Sequence, residues 1–95
     1  MSEEVRKYNI NVEDVSRALA GGYHFVGNGY NGHSDENIDK YNLSFSQCVD
    51  FCTKKRHDAG ESWNSFYWRS SDNYCVCFKG GRGHYPDAKY VHFRI

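Results

Sequence analysis

The residues of this 95-residue chain whose type and spacing carry the most chemistry are its four cysteines, Cys48, Cys52, Cys75 and Cys77. Cysteine sulfurs do one of three things: bond to each other, hold a metal as thiolates, or act as nucleophiles. Residues i and i+4 share one face of a helix, and residues i and i+2 share one face of a strand. A helix carrying Cys48 and Cys52 and a strand carrying Cys75 and Cys77 would each present two sulfurs on one side. That arrangement suits two disulfides stapling a helix onto a sheet. Structural zinc favours Cys-x2-Cys knuckles, a spacing neither pair has, and none of the five His lies at a regular ligand spacing. A reactive thiolate needs a helix N-terminus or a basic neighbour. Cys48 lies near a helix start, but no Cys-x-x-Cys accompanies it. The disulfide reading leads, with an intracellular zinc-thiolate protein as the alternative. Each bridge would close a loop of about 26–28 residues, for roughly 3–4 kcal/mol on the chain-entropy estimate. Four cysteines allow three pairings, and geometry disfavours only the one that joins Cys75 to Cys77.

The elements around the cysteines are legible in part. Ser44-Phe45-Ser46-Gln47 reads as a capping box, with Ser44 as N-cap and Gln47 reaching back to it. Phe45, Cys48, Val49 and Cys52 form an apolar stripe, and Lys54, Lys55 and Arg56 suit the negative end of the helix dipole. A helix is predicted over 45–55. Residues 63–68 and 74–78 read as strands joined through Ser70-Ser71-Asp72-Asn73, a hairpin. Residues 90–95 alternate, with Val91, Phe93 and Ile95 facing the core and Tyr90, His92 and Arg94 facing out. Asn11 reads as the N-cap of a short helix over 12–20, whose apolar stripe is Val12, Val15 and Leu19 and whose end is Gly21-Gly22. Residues 23–26 form a short strand, and residues 1–10 a polar lead-in with isolated Val5 and Ile10. Residues 27–37 and 80–87 are rich in Gly, Asn and Asp and read as loops. The fold class is α+β: one main helix on a three- to five-stranded antiparallel sheet, with a short N-terminal helix.

Composition bounds the partners. One domain is expected at this length, and small domains commonly add staples to a limited core. Twelve basic and twelve acidic residues give zero formal net charge, which speaks against a nucleic-acid backbone or an anionic membrane surface as partner. No apolar stretch approaches the ~20 residues of a membrane-crossing helix. The chain opens Met-Ser-Glu-Glu, with no basic and apolar leader. An even number of cysteines in so short a chain nevertheless favours an oxidising, extracellular setting. The expectation is a secreted protein whose signal peptide is not visible in this chain. The sequon Asn42-Leu43-Ser44 is compatible with that setting.

Enzyme motifs are missing: no Ser-His-Asp signature, no His-Glu-x-x-His, and no phosphate-cradling glycine loop that opens a helix. No catalytic residue, metal ligand or cofactor is assigned. Asp35, Glu36 and Asp39, near His33 and Ser34, match no calcium loop and read as a solvated approach to the main helix. Binding chemistry is better supplied. Trp63, Tyr67, Trp68, Tyr74, Tyr85 and Tyr90 exceed what one small core needs. They could serve as cross-strand pairs or as a contact platform. Strand alternation requires either Tyr67 or Trp68 to point away from the core. Lys79, Arg82 and His84, spaced by Gly80, Gly81 and Gly83, form a flexible basic loop. The ligand-binding candidates are therefore Tyr67, Trp68, Tyr85, Arg82 and His84.

The run Ser46-Gln47-Cys48-Val49-Asp50-Phe51-Cys52-Thr53, followed by Phe66-Tyr67-Trp68 and Asn73-Tyr74-Cys75-Val76-Cys77-Phe78, resembles the PAN/Apple domain family. Tyr23 to Tyr30 resembles that family's opening strand and turn. The likeness spans about residues 22–95 and leaves 1–21 as an N-terminal extension. It implies a helix cradled by an antiparallel sheet, and bridges Cys48–Cys75 and Cys52–Cys77, the other pairing being Cys48–Cys77 with Cys52–Cys75. The pattern departs from the family in three ways. Trp63 stands near the place where the hepatocyte growth factor module carries a bridge partner, Cys77 is extra, giving a Cys-x-Cys variant, and no outer bridge ties the termini. The family likeness implies a secreted, non-catalytic module that binds a protein or carbohydrate ligand through exposed aromatics and loops.

Overall fold

The computed structural model describes residues 10–95, so the lead-in over 1–9 lies outside the described residues. In chain order the elements are α1 (Val12–Ala20), β1 (His24–Gly27), β2 (Gly29–Tyr30), β3 (Glu36–Lys40), α2 (Phe45–Ala59), β4 (Trp63–Arg69), β5 (Tyr74–Lys79), β6 (Tyr85–Pro86) and β7 (Tyr90–Arg94). Five strands form one antiparallel sheet in the order β1-β7-β4-β5-β3, and β2 pairs with β6 in a small second sheet. The fold is a small α+β one, with both helices packed on a single side of the large sheet.

The capping box starts α2 as the residue types require. The Gln47 amide donates to Ser44 Oγ at 3.1 Å, and the Ser44 amide donates to Gln47 Oε1 at 2.9 Å. The helix runs one turn past the expected end. His57, Asp58 and Ala59 contain no breaker, and Lys54 pairs with Asp58 at 2.6 Å across that turn. Gly60, at φ 118°, is where the helical path stops.

The core lies between α2 and the sheet. Phe45, Cys48, Val49 and Cys52 from α2 meet Phe66, Trp68, Cys75, Cys77, Val91 and Phe93. Phe66 and Phe93 stack at 5.3 Å between centroids, with Phe45 tilted against both. Trp68 is 4% exposed and donates its indole N–H to the Leu43 carbonyl at 2.8 Å. Trp68 is therefore a core residue. Of the alternating pair, Tyr67 is the one that points to the opposite face. The bridges are Cys48–Cys75 and Cys52–Cys77, so α2 is bonded twice to β5. One bridge of 27-residue separation is worth about 3.5 kcal/mol on chain entropy. The second then closes only a ring of about eight residues and adds about 2.5 kcal/mol. They are not two independent staples.

Two sequence expectations need correction. In α1, Asn11 caps the helix by accepting from the Asp14 amide at 2.8 Å, but Val12 and Leu19 are exposed. Ala18, Val15 and the preceding Ile10 make the buried contact instead. Alanine has almost no side chain, so α1 can approach α2 closely, and Arg17 pairs with Asp50 of α2 at 2.9 Å. The stretch read as a loop and solvated approach contains β2 and β3. β3 pairs with β5 in unbroken register from Glu36–Lys79 to Lys40–Cys75. Its sequence, Glu-Asn-Ile-Asp-Lys, hides the strand because it is an edge with one inward apolar residue, Ile38. Its charges discourage a further strand from pairing there.

Trp68→Ala is expected to cost about 3–5 kcal/mol through the cavity it leaves, and it also removes the Leu43 carbonyl's partner. Val12→Ser should change stability by no more than about 0.5 kcal/mol. Chemical denaturation of both variants checks the assignment.

Candidate functional site

The side of the sheet turned away from α2 has its own composition. Strand alternation sends Tyr67 and Arg69 of β4, Tyr74, Val76 and Phe78 of β5, and Tyr90, His92 and Arg94 of β7 to this side. No helix covers it. The segments around β2 and β6 fold over one end.

Six of the chain's eight tyrosines meet here in a continuous row. Tyr41 stacks on Tyr74 at 4.3 Å between centroids, and Tyr74 lies 6.1 Å from Tyr67. Tyr67 is 4.8 Å from Tyr90, Tyr90 is 5.6 Å from Tyr30, and Tyr30 is 5.7 Å from Tyr85. The row crosses the strands from the β3–α2 turn to β6. Its ends are open, with Tyr41 52%, Tyr85 50% and Tyr30 36% exposed. Its middle is half-buried, with Phe78 and Val76 packed into the floor.

Arg69 is locked into the row. Its guanidinium donates to both carboxylate oxygens of Asp72, at 2.8 and 2.5 Å, and to the Tyr90 hydroxyl at 2.6 Å. It sits over the rings of Tyr74 and Tyr90 at 5.0 and 5.3 Å. The Asp72 contact raises the Arg69 pKa and lowers that of Asp72. The charge is thus neutralised in place. Tyr74 donates its hydroxyl to Asp39 at 2.7 Å, and desolvation followed by that acceptor pushes its ionisation up. Burial, then the neighbouring Tyr90, pushes Tyr67 up to about 12. At neutral pH the middle of the row is thus two neutral phenols, Tyr67 and Tyr74, beside the compensated Arg69 guanidinium.

A second, polar cluster lies under the loop at the β2–β6 end. Asn64 clamps Gly81 through both amide groups, accepting from its N–H at 2.8 Å and donating to its carbonyl at 3.1 Å. A Cβ at Gly81 would fall 2.0 Å from the Ser65 oxygen, so the loop can approach this closely only as glycine. His33 and Arg82 exchange backbone hydrogen bonds at 2.8 and 2.9 Å. Arg94 Nη2 donates to Asn31 Oδ1 and to the Gly83 carbonyl.

Of the candidates from sequence, Tyr67 and Tyr85 belong to the tyrosine row. Trp68 is on the other side of the sheet. Arg82 is exposed but pairs with Asp35 at 3.4 Å, away from the row. His84 turns inward and stacks on His92, ring centroids 5.2 Å apart. The loop expected to be flexible is tied through its backbone amides at Gly80, Gly81, Arg82 and Asp87, to the Ser62 carbonyl, the Asn64 side chain, the His33 carbonyl and the Asn28 carbonyl. His92, expected to face out, is 0% exposed. It does lie on the open side, but the loop carrying His84 covers it. Tyr30 and Tyr41 were missed because each sits among turn residues, where one aromatic gives no periodic signal.

Among the described residues, the one group of three or more His, Cys, Asp or Glu close enough to share a metal ion is Cys48, Cys52 and Cys75. Their sulfurs are bonded in the two bridges, and a metal would need them as thiolates. No helix among the described residues is long and apolar enough to cross a membrane. Comparison with family models, curated proteins and solved structures gives no match.

A raised phenol pKa means the fold favours the neutral form. The stability Tyr67 contributes is therefore intact below its ordinary value near 10 and is lost as pH rises toward 12. The Tyr67 contribution to the unfolding free energy should fall in that window by at most about 1.4 kcal/mol per pH unit. Ultraviolet titration of tyrosinate should show late-ionising phenols, with one fewer in Tyr67→Phe than in the unmodified protein.

Proposed function

We propose that the protein is a secreted, non-catalytic recognition module of the PAN/Apple kind that binds a protein or carbohydrate ligand through its tyrosine face and the adjoining loops. The observation that carries this reading is the row of six tyrosines. The Phe and Trp side chains of the core pack on the other side of the sheet, so the row is surplus to that core. Tyrosine offers a large, stiff ring with a polar tip, at a low entropy cost of ordering. A ring so placed can stack on the apolar face of a sugar or of a protein side chain, while its hydroxyl serves the ligand's polar groups.

The charge pattern narrows the ligand. Arg69 is already held by Asp72 and Tyr90, which leaves the row nearly neutral. This favours a neutral sugar or a mixed polar–apolar protein surface over a polyanion such as nucleic acid. With the Tyr67 and Tyr74 ionisations raised and the Arg69 guanidinium compensated, these three side chains supply neither a base nor a nucleophile at neutral pH. Secretion fits two disulfides, which persist in oxidising compartments. The zinc-thiolate alternative requires a reduced chain; in the bridged structure the Cys48, Cys52 and Cys75 sulfurs lie within 4.8 Å of one another.

A glycan array and a pull-down from the native source test the proposal. Tyr85→Ala and Tyr30→Ala should each weaken the ligand found by about tenfold or more, the scale of an interface hot spot, with the near-ultraviolet spectrum of the fold retained. Unchanged affinity in both variants would remove the tyrosine row from the binding site.

A further inference from the structure

His84 and His92 form a closed pair. Their rings are nearly parallel, 8° apart, and their Nδ1 atoms are 2.9 Å from each other. One nitrogen must donate and the other accept, so the contact exists only when at least one proton is absent. The neighbours decide which. Arg94 Nη2 lies 3.4 Å from His92 Nε2, and a guanidinium can only donate. The two hydrogens of Nη2 already serve Asn31 and Gly83, so His92 Nε2 gains no hydrogen bond from it, but the positive charge beside Nε2 favours a lone pair there over an N–H. His92 Nδ1 then carries the hydrogen, and His84 Nδ1 receives it. Every site for an added proton is blocked. A proton on His92 Nε2 would face a guanidinium, and one on His84 Nδ1 would face the N–H of His92.

The groups around the pair supply no relief. From β7 the charged neighbour is Arg94. From β4 the register partner is Tyr67, and from β1 it is Gly27, which carries no charge. Asn31, in the segment after β2, faces Arg94. Among the described residues no carboxylate pairs with either ring. On its outer side His84 lies against the backbone of Gly27 and Gly29, where a Cβ at Gly29 would come within 2.6 Å of the ring. The imidazole has no room to turn unless the loop moves.

The geometry points to a proton-operated latch: the His84–His92 contact holds the 80–87 segment on the sheet at neutral pH, and protonation from solvent in mildly acidic conditions releases it, carrying Tyr85 away from Tyr30 and opening that end of the tyrosine row. The release itself rests on the ring geometry alone. Its use, to discharge a ligand in an acidified compartment, rests on the binding reading above.

The sign of the effect follows from burial. Desolvation first, then Arg94 and His84, lowers the pKa of His92 to about 3. The closed form excludes a proton that a released imidazole takes up near its ordinary value of about 6.5. Opening is therefore favoured as pH falls below that value, by about tenfold per pH unit for one proton.

Amide hydrogen exchange on the free protein tests the latch, so its outcome is independent of whether a ligand is found. The reporters are the amides of His33, Arg82 and Asp87, which bond to Arg82, His33 and Asn28 across the β2–β6 end. After correction for intrinsic exchange, their protection should fall about tenfold between pH 6 and pH 5, while amides of the β4–β5 hairpin keep theirs. His92→Asn should abolish this pH dependence, the hairpin amides reporting that the variant is folded. Reporter protection that is constant from pH 7 to pH 4.5, or that falls in step with the hairpin, overturns the proposal. So does a folded His92→Asn variant that keeps the wild-type dependence. Nuclear magnetic resonance titration of His92 in the unmodified protein gives a check that needs no variant: its midpoint must coincide with the amide opening, and a separate midpoint overturns the proposal equally.

Discussion

Both faces of the sheet depend on the double covalent tie between α2 and β5. The tie works because two periodicities match. Four residues along α2 advance about 6 Å at 1.5 Å per residue, and two residues along β5 advance about 6.6 Å at 3.3 Å per residue. The sulfurs of Cys48 and Cys52 can therefore face those of Cys75 and Cys77 in parallel. Two bonds fix the helix in position and in direction, where one would leave it free to pivot. With the helix fixed on one face, Phe66, Trp68, Val91 and Phe93 must turn toward it. Strand alternation then leaves Tyr67, Tyr74, Tyr90 and His92 on the other face whether or not anything covers them.

That division explains the segregation of the aromatic residues. The helix side is filled by Phe and Trp, which give the largest apolar volume, and the Trp68 indole N–H is satisfied at the helix entry by the Leu43 carbonyl. The open side holds tyrosines, whose hydroxyls need water or a partner. Several find partners within the face, as Tyr74 does with Asp39 and Tyr90 with Arg69. The rings at the ends of the row are exposed. The row is thus rigid in its middle and open at its rims, a pre-organised surface whose ordering cost is met by folding rather than by binding. The β2–β6 end differs in character. It is held by glycine-dependent close approach at Gly29 and Gly81, by the Asn64 clamp and by the histidine pair, and so can loosen while the bridged core stays intact.

Much of this was legible in the sequence, because the strongest local signals and the tertiary contacts agree. Ser44 and Gln47 mark the helix start unambiguously, and the aromatic runs over residues 63–68 and 74–78, with turn residues between them, mark the central hairpin. What was not legible depended on contacts between distant segments. β3 has one inward apolar residue and borrows its strand character from β5. Val12 and Leu19 form as good a stripe as Val15 and Ala18, and only the closeness that Ala18 allows selects between them. His92 reads as an outward residue of β7, since nothing in residues 90–95 tells that residues 80–87 fold back over it. Tyr30 and Tyr41 join the row through turns, where periodicity carries no information. The residues that build the candidate site are thus partly those for which local sequence is least informative.

The central claim is that the two bridges between α2 and β5 hold the fold, and with it the tyrosine face. The most direct measurement compares the unfolding free energy of the native protein with that of the same chain reduced and alkylated at all four cysteines. The account predicts a loss of about 6 kcal/mol, a large part of the 5–15 kcal/mol that stabilises a typical domain, together with loss of the near-ultraviolet signal of the packed aromatic rings. A reduced and alkylated chain that keeps both its stability and that signal would contradict it.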